Sequence, residues 1–114
     1  MIVNPGEKLH VITRLRFEGD LRRHFVGEVL VATETLVRLR GYAFIFDPWA
    51  NSYVRKPEVR ERIVPLGDSG LILTLLPPDL DLDRLHYQMT PETRLMLSDG
   101  NGFSLDINEF SPRR

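Results

Sequence analysis

The chain contains no cysteine. That absence removes disulfide staples, thiolate nucleophiles and zinc–thiolate centres, and it fits a reducing, cytoplasmic setting. No uninterrupted apolar run approaches the roughly 18 residues that a membrane span requires. The amino terminus, MIVNPGEKLHV, has no basic region followed by an apolar core, so no targeting segment is expected. No serine sits in Gly-x-Ser-x-Gly, and no glycine-rich segment matches a phosphate loop. The net charge is only −1, so the clear basic excess of a dedicated nucleic-acid binder is missing as well. Together these gaps favour a non-enzymatic protein with no cofactor.

Alternation of apolar and polar residues dominates what is present. In EKLHVITRLRF, Leu9, Val11, Leu15 and Phe17 share one parity and Lys8, His10, Arg14 and Arg16 the other, which predicts a strand over 8–17 with one buried face. EGD turns the chain at Gly19. Leu21, Phe25, Val29 and Val31 then alternate with Arg22, His24 and Glu28. A helix capped by Asp20 would also group some of these apolar residues, but Gly27 and the valines favour a second strand. A third strand is expected from about Thr35 to Phe46, completing an antiparallel meander.

Beyond it, DPWANS reads as a turn, SYVR as a short strand and KPEVRE as a loop or single helical turn. RIVPL and LILTLL flank GDSG as a hairpin would. LPPDLDLD breaks the chain, because proline cannot donate to a ladder. TRLMLS, DGNG and FSLDI form the clearest hairpin signal. The expectation is a single all-β domain over 1–114, an antiparallel β-barrel or sandwich of about seven to nine short strands. The tail 111–114 is expected to fray.

Charge is unevenly spread. Residues 1–62 carry eleven Lys or Arg against eight Asp or Glu, and residues 63–114 carry four against eight. Such a dipole makes one basic face, or two halves that attract each other within or between chains, as in a homo-oligomer. The histidines, His10, His24 and His86, fall in separate segments without a metal-binding pair spacing, so solvated or core-edge positions are expected for them. Asp79, Asp81 and Asp83 alternate as in a calcium loop, but Arg84 and Thr90 occupy the places of its glycine and final glutamate. No metal site is expected.

The densest stretch is LRGYAFIFDPW, residues 39–49. Unbroken alternation puts Val37, Leu39, Ala43 and Ile45 on one face and Arg38, Arg40, Tyr42, Phe44 and Phe46 on the other. A bulge at Gly41 would instead flip the parity there. Tyr42, Phe44 and Phe46 would then join Val37 and Leu39 in one core face, and this is the preferred reading. The run from Arg40 to Ile45 resembles the opening of the RNP1 octamer of RNA-recognition-motif domains, with Ile45 replacing valine and Asp47 standing where the octamer ends in an aromatic. The resemblance implies that Tyr42 and Phe44 stack bases and that Arg40, with Arg38 beside it, holds phosphate. It also implies two helices, for which the sequence offers only turns and short strands.

Lys56 and Arg60 resemble the Arg-x-x-x-Arg element of PilZ nucleotide-binding barrels, without that family's companion box. Taken whole, the chain resembles small uncharacterised bacterial proteins that share blocks such as HFVGEV, KPEVRERIVPL and GFSLDINEF, a likeness that implies no activity. Trp49 and Tyr53 flank the DPWANS turn, and Arg55, Lys56, Arg60 and Arg62 follow closely enough to rim a partner-binding patch. The leading expectation is therefore a cytoplasmic binding or protein-interaction module that engages an acidic partner. Single-stranded nucleic-acid binding through 38–46 stands second, and a ligand-binding or enzymatic barrel third.

Overall fold

The computed structural model describes residues 2–13, 23–68 and 70–107. Among them, nine strands form two antiparallel sheets: β1 Lys8–Thr13, β2 Arg23–Ala32, β3 Leu36–Asp47, β4 Ser52–Arg55, β5 Arg60–Pro65, β6 Leu71–Leu76, β7 His86–Met89, β8 Leu95–Ser98 and β9 Ser104–Asp106. A 3-10 turn, Leu82–Arg84, precedes β7. No helix among the described residues is long and apolar enough to cross a membrane. The distal part of the expected first strand, the EGD turn and the tail 111–114 lie outside the described residues.

The first sheet runs β4-β3-β2-β1-β6, and β5 also pairs with β3. The expected meander of the first three strands is present. β4 and β5 share one edge of β3, because β4 reaches only Phe44–Asp47 and leaves Leu36–Gly41 for β5. RIVPL and LILTLL consequently do not pair as a hairpin: β5 bonds to β3, and β6 bonds to β1 at the opposite edge. Their connection holds two successive tight turns, Asp68 N–H to Pro65 O at 3.4 Å and Leu71 N–H to Asp68 O at 3.2 Å. Each such turn brings its ends within about 7 Å, so Pro65 and Leu71 lie within about 14 Å of each other. Laid flat, β5 and β6 would stand four strand spacings apart, about 19 Å. The sheet is therefore curved, bringing its two edges toward one another.

Pairing between β2 and β3 passes through Gly27 opposite Gly41 without a shift, and the only irregularity lies between Val29 and Val31. The expected bulge at Gly41 is thus corrected: the extra residue belongs to β2, near Leu30. Gly41 serves close approach instead, since a Cβ there would lie 1.9 Å from the Val26 carbonyl oxygen. β3 accordingly keeps its simple alternation, and both of its faces are used.

One face of the curved sheet, here called inner, carries Leu9, Val11, Phe25, Val29, Val37, Leu39 and Val64 in a mainly aliphatic core. The other, outer face sends Val26, Phe44 and Leu76 against Leu80, Leu85, Tyr87, Leu95 and Leu97 of the following segment and second sheet. The alternating aspartates serve this second layer: Asp81 caps the 3-10 turn by accepting from the Asp83 N–H at 3.0 Å. In the DGNG hairpin loop, Asp99 accepts from the Asn101 and Phe103 N–H groups, and Gly100 and Gly102 take positive φ.

Candidate functional site

Two places concentrate chemistry, one on each face of the first sheet. On the inner face, beyond the aliphatic core, a cleft of about 360 Å³ opens between β5, the ends of β1 and β2, and the β5–β6 connection. Its floor is apolar, from Val11, Phe25, Ala43, Ile45, Val64 and Leu71. Its charged lining among the described residues is Arg23, Lys56, Arg60 and Arg62, with Asp68 as the one acid.

Parity explains why these cations converge. Arg60 and Arg62 alternate with outward residues and share the face of buried Val64; Arg62 lies opposite Leu39 and Arg60 opposite Gly41. Arg23 occupies the parity of Phe25 and lies opposite Ile45. Lys56 directly follows β4, and its N–H donates to the Ala43 carbonyl at 2.8 Å, continuing the ladder along β3. Glu58 reaches Arg60 at 3.7 Å, an exposed pair of small energetic weight. Asp68 is partly engaged within its own turn, accepting from the Gly70 N–H at 2.7 Å.

On the outer face, His10 and His24 meet Tyr87 of the second sheet. His10 Nε2 lies 2.8 Å and His24 Nδ1 lies 2.6 Å from the Tyr87 hydroxyl. Tyr53 stacks on His24 with ring centroids 4.1 Å apart. One hydroxyl proton serves two ring nitrogens, so one imidazole must donate. His10 Nδ1 is buried without a partner. A bare lone pair there costs less than a stranded N–H, so His10 donates from Nε2 and the Tyr87 hydroxyl donates to His24 Nδ1.

Burial lowers the His10 pKa to about 4, and burial together with the neighbouring His10 lowers that of His24 to about 3. Burial pushes the Tyr87 phenol well above its usual range. These are neutral groups fastening two sheets together, and the expectation of solvated or core-edge histidines is corrected for His10 and His24, which are 0% and 5% exposed. His86 is exposed, with its ring nitrogens near Arg84 O and Gln88 Oε1. Among the described residues no cluster of three His, Cys, Asp or Glu is arranged to hold a metal ion.

The residues named from sequence are distributed unevenly around these places. Lys56, Arg60 and Arg62 come together in the cleft. Tyr53 and Arg55 point the other way, into an open groove with Ser52, Phe44, Leu85 and Tyr87. Trp49 stands at the turn, 96% exposed, and lines neither.

Of the RNP1-like residues, Phe44 is 1% exposed and packs edge-on against Tyr87 at 5.0 Å. Tyr42 is half-buried; its hydroxyl donates to the Asp83 carboxylate, which raises its pKa, and the Arg55 guanidinium lies 4.6 Å from its ring centroid. Arg55 also donates to the Asp83 carbonyl at 2.7 Å. Arg40 stands between Glu28 and Glu61 in register, and Arg38 between Val31 and Ile63. Phe44 thus packs on the second sheet, while Tyr42 and Arg55 hold the 3-10 turn that leads into it.

Arg23 escaped the sequence reading, although it is the charged exception on the apolar parity of its strand. Comparison of the chain with protein-family models, with curated proteins and with solved structures gives no match.

Proposed function

We propose that the protein is a small, non-enzymatic binding module, a partly closed barrel in architecture, whose inner-face cleft takes an anionic protein partner. The observation that carries this reading is the lining: Arg23, Lys56, Arg60 and Arg62 against Asp68 over an apolar floor. Among the described residues four cations face the recess against one acid, a balance that raises the local concentration of negative ligands and orients them on approach. The floor supplies apolar area that a purely ionic contact would lack.

A protein partner suits this surface better than single-stranded nucleic acid does. Base stacking needs aromatic platforms beside the cations, and the cleft floor is mostly aliphatic. The aromatic residues of β3 sit on the opposite face, with Phe44 enclosed. Trp49, exposed at its turn, offers a second contact for a partner larger than the cleft.

Fluorescence anisotropy with labelled acidic, neutral and basic peptides tests the proposal. Acidic peptides bind, the affinity falls as salt is raised, and Arg60→Gln with Arg62→Gln weakens it severalfold. Equal binding of the three peptide classes, or indifference to that double substitution, contradicts it.

A further inference from the structure

The cleft is bounded by a strand edge as well as by side chains. Four consecutive residues, Arg62, Ile63, Val64 and Pro65, line it, although successive side chains on a strand point to opposite faces. The recess therefore runs along β5 itself. Among the described residues, β5 is hydrogen-bonded to β3 alone.

The ladder fixes which β5 backbone groups remain. Leu66 N–H donates to Thr35 O at 2.8 Å, continuing the register in which Pro65 lies opposite Leu36. In an antiparallel pair, bonded and non-bonded positions alternate. Val64, Arg62 and Arg60 therefore spend their N–H and C=O groups on β3, while Glu61 and Ile63 turn theirs outward to the free edge. Pro65 closes the edge at one end, because it has no N–H to offer.

The geometry points to docking of an extended acidic peptide segment of a partner protein as an added antiparallel strand on β5. Glu61 and Ile63 would form its backbone bonds, and carboxylates at alternate positions would face Arg60 and Arg62. This assignment rests on the anionic-partner reading above and adds to it a conformation, an orientation and a side-chain pattern. Strand addition draws affinity from main-chain bonds and selectivity from alternate side chains, and both components are present here. A second copy of this chain is a poor occupant, because pairing β5 with β5 would oppose the arginines of one copy to those of the other.

The pattern makes the test specific. In an octapeptide alternating Glu and Val, docked antiparallel with its glutamates beside Arg60 and Arg62, the valine residues lie opposite Glu61 and Ile63 and make the backbone bonds. N-methylation of the valines weakens binding about tenfold or more, whereas N-methylation of the glutamates has little effect. A block isomer, with its glutamates together and its valines together, binds more weakly than the alternating peptide. Ile63→Pro removes an outward N–H that β3 does not use; it abolishes alternating-peptide binding while the circular dichroism spectrum stays native. If that variant fails to fold, the N-methyl series decides alone.

Equal affinity of the alternating, block and both N-methylated peptides, with binding still lost in Arg60→Gln/Arg62→Gln, overturns strand addition and leaves an anion-binding cleft. Absence of binding by every acidic peptide overturns both readings.

Discussion

The two faces of one sheet solve the same problem in different ways. On the inner face, aliphatic residues of β1, β2, β3 and β5 meet one another because the sheet curves, and the core gives way at one end to a charged cleft. On the outer face, His10, His24 and Phe44 cannot be covered by curvature; Leu85 at the end of the 3-10 turn, and Leu97 and a tyrosine hydroxyl from the second sheet, match them. The aliphatic face needs only apolar area. The aromatic and polar face needs specific partners, since buried ring nitrogens left unbonded are costly. The open, cationic end is the place proposed for a ligand, and the closed cluster is a fastening.

Removing the largest fully buried ring separates the faces most strongly. Phe44→Ala empties the centre of the outer-face core and costs about 3–5 kcal/mol, read as a lower urea midpoint; a near-neutral result would mean the second sheet is not held by this ring. Gly41→Ala acts on the backbone shared by both faces. Its Cβ would meet the Val26 carbonyl, which no rotamer relieves, so about 3 kcal/mol is expected. A wild-type melting curve for that variant would refute the close approach of β2 and β3.

Tyr87→Phe keeps the ring and removes the hydroxyl between the two imidazoles, a loss of about 1–3 kcal/mol by chemical denaturation. The same cluster sets an acid response. His10 and His24 have folded pKa values of about 4 and about 3, below the unfolded value of 6.5. The unfolded chain therefore binds more protons, and stability present above pH 6.5 is lost progressively as pH falls toward those values. The limiting slope is about 1.4 kcal/mol per pH unit for each histidine. Replacing both histidines with phenylalanine flattens that slope in urea titrations between pH 6.5 and pH 4; an unchanged slope would place the acid sensitivity elsewhere.

The smallest effect on stability belongs to the cleft. Arg60→Gln with Arg62→Gln shifts stability by no more than about 0.5 kcal/mol, while acidic-peptide binding falls. Loss of stability alongside binding would make these arginines part of the frame.

Local pattern carried much of the fold. The alternation from Val37 onward, the SYVR strand and the DGNG turn are all visible in short windows, because period-two burial and positive-φ glycines leave local marks. Gly41 misled because glycine permits a bulge and close strand approach alike, and only its pairing with Gly27 distinguishes them. The hairpin expected around GDSG failed for a similar reason: a turn sequence says that the chain bends, whereas the free edges of β3 and β1 decide where each strand bonds.

The site was legible in part. Lys56, Arg60 and Arg62 stand close in sequence, but Arg23 joins them only through the β2–β3 register. His10 and His24 lie on one parity of adjacent strands; their meeting depends on the β1–β2 register and on β7, whose HYQM gave no strand signal. The cover over Phe44 comes from residues half a chain away, which no local window contains.

Amide chemical shifts of the folded protein, titrated with the alternating Glu–Val octapeptide at low and moderate salt, test the central claim directly. The amides at 60–64 move, with those of Arg23 and Lys56, and the shifts fade as salt rises, while His10, Phe44 and Tyr87 hold still. Shifts centred on Tyr42 and Phe44 with β5 silent, or no salt-sensitive shift at β5, would contradict it.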